Sequence, residues 1–128
     1  MIGVDIISVK RVADLASKDK NNKVFTSQEI NYANTKSKII TSEESCSQRD
    51  NTLAGMFNAK EAFLKALGFG LGDKFALNEI EISHKESGEP FIVITEKIEN
   101  HLRDIGKKEV NLSISHDAGM SIAVVEIL

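Results

Sequence analysis

The chain has 128 residues, of which 41% are hydrophobic and 27% charged, a composition typical of a folded globular protein. Its length predicts a single domain over residues 1–128 and is too short for a barrel enzyme, a complete dinucleotide-binding enzyme or a protein kinase. The 16 basic and 19 acidic residues give a net charge of −3, which provides no overall attraction to nucleic acid or to an anionic membrane.

The first predicted element is a strand over residues 2–7, a short apolar run rich in β-branched side chains. No basic residue precedes it and it contains an acid, Asp5, so it does not resemble a secretory signal peptide. No apolar run in the chain approaches the roughly 20 residues of a membrane-spanning helix. We therefore expect a soluble, cytoplasmic protein.

Three helices are predicted after this strand. One covers residues 9–17, and a second begins after Thr26, which forms a capping-box pattern with Glu29. The polar residues 35–52 fit either a weak helix or a mobile loop. The longest predicted helix covers residues 53–67 and ends at a glycine.

The second half of the chain contains four predicted strands and one helix. An alternating pattern over residues 77–83 predicts a strand, and the turn residues 87–90 join it to a second one. The later elements are a strand over residues 91–95, a helix over residues 96–105, and strands over residues 110–116 and 120–127. Because short turns join the strand pairs, we expect antiparallel pairing and an α+β fold.

Charged side chains occupy apolar positions in two of these elements. Asp5 lies within the first strand, where a carboxylate is costly to bury without a cation, a metal ion or several hydrogen-bond donors. In the longest helix Lys60 falls within the apolar stripe, and Glu61 and Lys65 lie one turn apart at its edge. These residues fit either ordinary ion pairs with a lysine that extends to the surface, or a cleft that holds an acid between two cations.

His116 lies at the C-terminal end of a predicted strand, just before a turn. Groups at such positions are accessible, and an imidazole there can contact a phosphate or accept a proton, although it can equally be a structural hydrogen-bonded residue. The other histidines, His84 and His101, are predicted to be solvated. None of the three has the spacing of a zinc hydrolase site.

Positive charge is concentrated near the N-terminus. Between Lys10 and Lys23 five cations and two acids give a local charge of 5 − 2 = +3, so the rest of the chain carries −6. A basic helix on an acidic protein fits a docking face for an acidic partner, and it also fits an ordinary solvated helix.

Several separated motifs occur along nearly the whole chain. They are Gly3-Val4-Asp5-Ile6 followed by Arg11, Phe25-Thr26-x-x-Glu29, Lys60-Glu61-Ala62-x-x-Lys65-Ala66-x-Gly68, Gly88-x-Pro90 and Ser113-x-Ser115-His116. In this order they resemble the holo-acyl-carrier-protein synthases, the short type of 4′-phosphopantetheinyl transferase. The resemblance implies the α+β fold of those transferases, in which a mostly antiparallel sheet packs against a long central helix.

The resemblance also implies an activity, a metal ion and an assembly. These enzymes transfer 4′-phosphopantetheine from coenzyme A to a serine of apo-acyl carrier protein for fatty acid biosynthesis, release adenosine 3′,5′-bisphosphate, require Mg²⁺ and form homotrimers with active sites at subunit interfaces. By motif match, Asp5 and Glu61 are the expected magnesium ligands, and Glu61, Lys65 and His116 the expected catalytic residues. The expected coenzyme A contacts are Lys60, Lys65, Gly88, Pro90 and His116, and the expected carrier-protein contacts are Arg11 and Lys18.

The sequence departs from the family pattern at the start of the longest helix. Many members carry a basic residue shortly after the Ala-Gly pair, whereas Ala54-Gly55 is followed here by Met56 and Phe57. One contact with a coenzyme A phosphate is therefore missing or is supplied by another residue, for which Arg49 and Lys60 are candidates.

Two other functions fit the same residues. A metal-dependent phosphohydrolase would let water attack the same pyrophosphate, and a non-catalytic module would only dock carrier proteins. The group that removes the serine proton is also open among Glu61, His116 and a metal-bound water.

Overall fold

The computed structural model describes residues 1–40, 46–71 and 73–128 of the chain, which form five strands and four α-helices. The strands are β1 (Ile2–Ser8), β2 (Ile82–His84), β3 (Pro90–Ile92), β4 (Val110–Asp117) and β5 (Met120–Ile127). The helices are α1 (Val9–Ser17), α2 (Ser27–Asn34), α3 (Gln48–Leu67) and α4 (Glu96–Asp104). None of the described helices is long and apolar enough to cross a bilayer.

The larger sheet is antiparallel, with the strand order β1-β5-β4, and β2 and β3 form a separate antiparallel hairpin. In the larger sheet Asp5 pairs with Ala123, and Ser121 lies between Ile7 on one side and His116 on the other. The predicted α+β class, the strands at both ends of the chain and their antiparallel pairing are confirmed.

Helix α3 packs across one face of the larger sheet and forms the centre of the protein. Strand β1 approaches it so closely that a Cβ atom on Gly3 would overlap backbone atoms of Ala62 and Ala66. The helix ends, as predicted, at Gly68 in the left-handed conformation with φ 81°, which glycine adopts without a steric penalty. It begins five residues earlier than predicted because the Ser47 hydroxyl caps it by accepting a hydrogen bond from the Asp50 amide at 3.0 Å.

The opposite face of the same sheet is apolar and exposed. We call this surface the apolar outer face; its residues are Ile2, Val4, Ile6, Ile122 and Val124, each between 38% and 68% exposed. Cross-strand pairing brings Val4 against Val124 and Ile6 against Ile122, so the side chains form one continuous patch. A patch of this kind on a folded protein is typical of an interaction surface.

The start of α2 follows the sequence prediction closely. The Thr26 hydroxyl accepts a hydrogen bond from the Glu29 amide at 3.2 Å, and the Glu29 carboxylate accepts one from the Thr26 amide at 2.8 Å. In the polar segment predicted over residues 35–52, the last residues are helical and belong to α3, and residues 41–45 lie outside the described part of the chain.

The strand predicted over residues 77–83 is mostly wrong. Leu77–Glu79 form a short 3₁₀ turn, and only Ile82–His84 form a strand. Two hydrogen bonds explain the difference. The Glu79 carboxylate accepts one from the Ala76 amide at 2.9 Å, and the Leu77 carbonyl accepts one from the Lys60 side chain on α3 at 3.0 Å. The hairpin with β3 is confirmed, although β3 ends at Ile92 and so is shorter than predicted.

Candidate functional site

Asp5 on β1 and Lys65 on α3 form an ion pair at the edge of the sheet. The alternation of β1 turns Asp5 toward α3, where it is only 7% exposed. The Lys65 Nζ donates a hydrogen bond to Asp5 Oδ1 at 2.8 Å, and this bond raises the pKa of Lys65. Glu61 lies one helical turn before Lys65, so α3 places an acidic and a basic side chain beside the Asp5 carboxylate.

The two acids of this cluster interact strongly with each other. The pKa of Glu61 rises from 4.5 to about 7, first because the side chain is partly buried, and then because its protonated carboxyl donates a hydrogen bond to Asp5 and because Asp5 is negatively charged. The charges of Lys65 and Arg11 oppose this rise without cancelling it. When both carboxyls are ionised, the two neighbouring cations do not offset the repulsion between the carboxylates. An additional proton or cation therefore stabilises the site.

The cluster fits a magnesium ion. When Glu61 is ionised, the buried Asp5 Oδ2 has no hydrogen-bond partner among the described residues, and carboxylate oxygens are the side-chain ligands that Mg²⁺ prefers. The described residues contain no group of three or more His, Cys, Asp or Glu side chains that could hold a metal ion. Two carboxylates suit Mg²⁺, because this ion usually keeps water and phosphate oxygens for the rest of its octahedral shell.

Arg11 on α1 connects the acidic cluster to a basic cavity. It lines a cavity of about 360 Å³ together with Asp5 and Glu61. It also lines a larger cavity of about 670 Å³, whose other residues include Lys18, Lys20 and Lys23. The positive segment predicted from the sequence is thus a concave surface directly beside the carboxylates.

His116 lies in a different cavity, at the other side of α3. Its imidazole packs over Gly55 so closely that a Cβ atom there would lie 3.3 Å from the Nε2 atom. Gly88 and Pro90 of the β2–β3 hairpin line the same cavity, which has a volume of about 270 Å³. Three of the residues predicted from the sequence to contact coenzyme A therefore come together here.

The predicted site residues are consequently divided between the two edges of the larger sheet. Asp5, Glu61 and Lys65 lie at the β1 edge of the sheet, whereas His116 lies on β4 at the opposite edge. His116 also lines a cavity of about 320 Å³, which shares Ile6 with the cavity that contains Glu61. The predicted site residues thus form two separate clusters in this chain.

Lys60 does not have the position that the sequence predicts. Its side chain is fully buried, and its Nζ donates hydrogen bonds to Glu29 Oε1 at 2.7 Å, to the Val24 carbonyl at 2.6 Å and to the Leu77 carbonyl at 3.0 Å. Burial lowers its pKa, and the neighbouring Glu29 carboxylate opposes this change. The predictions that Lys60 extends to the surface and contacts a coenzyme A phosphate are wrong, because the ammonium group has no exposed surface.

Three residues of the His116 cavity were not identified from the sequence. His84 was predicted to be solvated, but it is partly buried and stacks on Tyr32 with ring centroids 4.0 Å apart and planes 6° apart. Burial lowers the pKa of His84, and the charge of Lys36 adds to this effect. The Lys36 ammonium lies 4.9 Å from the centre of the Tyr32 ring. The proximity of His84 to the Gly88-x-Pro90 turn is the only sequence signal for this group.

The unusual start of α3 also has a structural explanation. Met56, which follows the Ala54-Gly55 pair where the family pattern predicts a basic residue nearby, is 1% exposed and packs in the core. Arg49, a candidate replacement, donates a hydrogen bond from Nε to Asn34 Oδ1 at 2.7 Å and so links α3 to the end of α2. His101, predicted to be solvated, packs against Phe69 and Phe75.

Comparisons with known proteins agree with this fold. The sequence model of the 4′-phosphopantetheinyl transferase superfamily matches residues 1–124. Holo-[acyl-carrier-protein] synthase of Nautilia profundicola is 37% identical over 128 residues, covering 100% of this chain and 99% of that protein. The synthase of Halothermothrix orenii is 36% identical over 127 residues, covering 97% of this chain and 93% of that protein. The crystal structure of the Helicobacter pylori synthase in complex with coenzyme A is 29% identical, with a TM-score of 0.78 and coverage of 100% of both chains.

Proposed function

Because the chain belongs to the 4′-phosphopantetheinyl transferase superfamily, we propose that it transfers 4′-phosphopantetheine from coenzyme A to a serine of apo-acyl carrier protein. The observation that carries the proposal is the pair of carboxylates Asp5 and Glu61, with Lys65 bonded to the first at 2.8 Å. The holo-carrier product serves fatty acid biosynthesis. The related synthases, and the coenzyme A complex of the Helicobacter pylori protein, support the same two substrates.

In the proposed reaction the serine oxygen forms a bond to the phosphorus next to pantetheine. The bond from that phosphorus to the bridging pyrophosphate oxygen breaks, and adenosine 3′,5′-bisphosphate leaves with the electron pair. Such transfers depend on charge neutralisation and alignment more than on covalent chemistry by the protein. Asp5 and Glu61 would hold Mg²⁺, which would neutralise the negative charge of the pyrophosphate.

Lys65 and His116 contribute the remaining positive charge. The Lys65 side chain is 56% exposed despite its bond to Asp5, so its ammonium group can contact a phosphate that enters the site. His116 contacts the coenzyme in the cavity that Gly88 and Pro90 also line. Glu61 and His116 are the side chains available to accept the serine proton, and the pH profiles of kcat for Glu61→Gln and His116→Asn distinguish them.

A second copy of the chain completes the site. Within one subunit Glu61 and His116 lie at opposite edges of the larger sheet, and the apolar outer face of that sheet is exposed. We propose the homotrimer that the family resemblance implies, in which neighbouring subunits contribute the two parts of each active site. Val4→Asp places a charge in the centre of this face, so we expect the variant to be monomeric by light scattering and to lack transferase activity. Phe91→Asp, on a different exposed strand, is the control and is expected to leave the trimer intact.

The basic cavity is the proposed docking surface for the carrier protein. Arg11 and Lys18 line it, and Arg11 also borders the carboxylates, so a bound acidic partner has its serine close to the metal ligands. Arg11→Glu is expected to raise the KM for carrier protein at least tenfold and to change the KM for coenzyme A less. The opposite ranking contradicts the assignment.

The decisive experiment is intact-mass analysis of apo-acyl carrier protein after incubation with this protein, coenzyme A and Mg²⁺. We expect the carrier to gain the mass of one phosphopantetheine group. An unchanged carrier mass rejects the transferase. Release of adenosine 3′,5′-bisphosphate from coenzyme A without carrier protein would indicate a phosphohydrolase instead.

A matched pair of variants tests the metal site. Asp5→Asn keeps the shape of the side chain but removes the charge, so we expect at least a hundredfold loss of transfer and of Mn²⁺ binding. Asp104→Asn, at the exposed end of α4, serves as the control and is expected to retain both. Full activity in Asp5→Asn would remove this residue from the metal site.

A further inference from the structure

Buried polar atoms without partners are concentrated between α3 and the larger sheet. When Glu61 is ionised, five buried side-chain nitrogen or oxygen atoms among the described residues have no hydrogen-bond partner. Four of them belong to three residues: Asp5 Oδ2, both amide atoms of Asn58, and Ser121 Oγ. Asn58 is fully buried and Ser121 is 1% exposed. Buried polar atoms in folded proteins nearly always have a partner, so this cluster indicates a bound molecule.

The packing of α3 shows where Asn58 lies. Three residues before it, Gly55 contacts Ile114 of β4; four residues after it, Ala62 contacts Gly3 of β1. These spacings put the three α3 residues on one side of the helix. Since β5 is the strand between β4 and β1, Asn58 lies over β5.

Ser121 is the polar residue of β5 on the same side of the sheet. It pairs with Ile7, two residues beyond Asp5 on β1, so Ser121 and Asp5 are diagonal neighbours on the inner face. Asn58 is also one helical turn before Glu61. The amide and the hydroxyl therefore lie beneath the two carboxylates of the candidate metal site.

The strand register and the helix spacing place these side chains on adjacent elements, where they make no hydrogen bond with one another. Polar groups separated by more than about 3.5 Å in a buried site are commonly bridged by water. Water matches this donor set, because it accepts from the Asn58 amide nitrogen and donates to the Asn58, Ser121 or Asp5 oxygens.

We propose that Asn58 and Ser121 bind internal water beneath Asp5 and Glu61, and that this water forms the outer shell of the metal site. The proposal rests on the proposed function for the identity of the metal site. The bound water orients the Asp5 carboxylate from below, while Lys65 holds its other oxygen. Asn58 is thus a positioning residue, which contacts neither substrate nor metal ion.

Metal affinity gives the first test. Loss of an outer-shell partner commonly weakens metal binding about 10–100-fold. Asn58→Leu fills the same space without polar atoms, so we expect Mn²⁺ binding to the protein without coenzyme A, followed by electron paramagnetic resonance, to weaken by at least tenfold. Asn100→Leu, at an exposed position of α4, is the matched control and is expected to bind Mn²⁺ normally.

A crystal structure at high resolution gives the second test and does not depend on the metal. We expect ordered water between Asn58 and Ser121 in the wild-type protein and none in Asn58→Leu. If Asn58→Leu does not fold by circular dichroism, Ser121→Ala replaces it and is expected to lose the water contact and several-fold of the Mn²⁺ affinity.

The outcomes separate this inference from the proposed function. If Asp5→Asn abolishes Mn²⁺ binding and Asn58→Leu binds it within twofold of wild type, the outer-shell proposal is wrong and the metal site stands. If Asp5→Asn retains Mn²⁺, the metal site itself is wrong. Direct bonding of Asn58 to Ser121 with no water between them also overturns the inference.

Discussion

Removing one partner of the buried pair between Lys60 and Glu29 is predicted to destabilise the protein strongly. Lys60→Met removes the ammonium group but keeps a side chain of similar length. The Glu29 carboxylate stays fully buried, with the Thr26 and Ile82 amides as its remaining donors, at 2.8 and 2.9 Å. Removing one partner of a buried ion pair costs about 3–5 kcal/mol, so we expect a loss of this size in the free energy of unfolding.

The assay is urea denaturation followed by circular dichroism, at one protein concentration for all variants because oligomerisation affects apparent stability. The chain supplies a matched control in Lys97, which pairs with Glu79 at 2.8 Å but is 49% exposed. Lys97→Met is expected to cost less than about 1 kcal/mol, since solvent screens exposed ion pairs.

A double variant identifies the cause of the loss. Lys60→Met with Glu29→Gln leaves no buried charge, so it is expected to recover at least half of the stability that Lys60→Met loses. The reasoning fails if Lys60→Met is no more destabilising than Lys97→Met. It also fails if the double variant is less stable than Lys60→Met alone.

Three further predictions concern single positions. The pKa of Glu61 rises from 4.5 to about 7 on folding. At pH values between these two, the folded chain therefore binds more protons than the unfolded chain. Stability should therefore fall by roughly 1 kcal/mol, after allowance for solvent screening, between about pH 5 and pH 8 in thermal melts, and Glu61→Gln should lack this decline. Thr26→Ala removes both the α2 cap and the 2.8 Å bond to Glu81, so we expect a loss of about 1–2 kcal/mol that Thr26→Ser largely restores in urea denaturation; equal losses in the two variants would contradict the capping role. Gly68→Ala forces a Cβ atom into the left-handed conformation at φ 81°, at a cost of about 1 kcal/mol in the same assay, and an unchanged midpoint would refute it.

The strands of the larger sheet could be predicted from sequence because their own residues determine them. Residues 2–7 and 120–127 are short apolar runs rich in β-branched side chains, and the structure contains both strands. The strand predicted over residues 77–83 failed because alternation says nothing about side chains that bond to backbone. There the Glu79 carboxylate accepts from the Ala76 amide and stabilises a turn instead.

The candidate site was predictable only in part. Asp5, Glu61 and Lys65 were singled out because charges in apolar elements need partners, and the structure brings these three together. Lys60 was misassigned because its partner, Glu29, is 31 residues away in the chain and belongs to another helix. The burial of His84 depends likewise on Tyr32, which the fold alone brings beside it.

The close contact of β1 with α3 has a consequence for how this protein can change during evolution. At Gly3 two backbones touch, so no side chain sets the spacing between the strand that carries Asp5 and the helix that carries Glu61. Substitutions elsewhere in the core can alter side-chain volume without changing that spacing, because backbone atoms already limit the approach. Substitutions that accumulate in the core therefore leave the separation of the Asp5 and Glu61 carboxylates unchanged, provided that position 3 stays glycine.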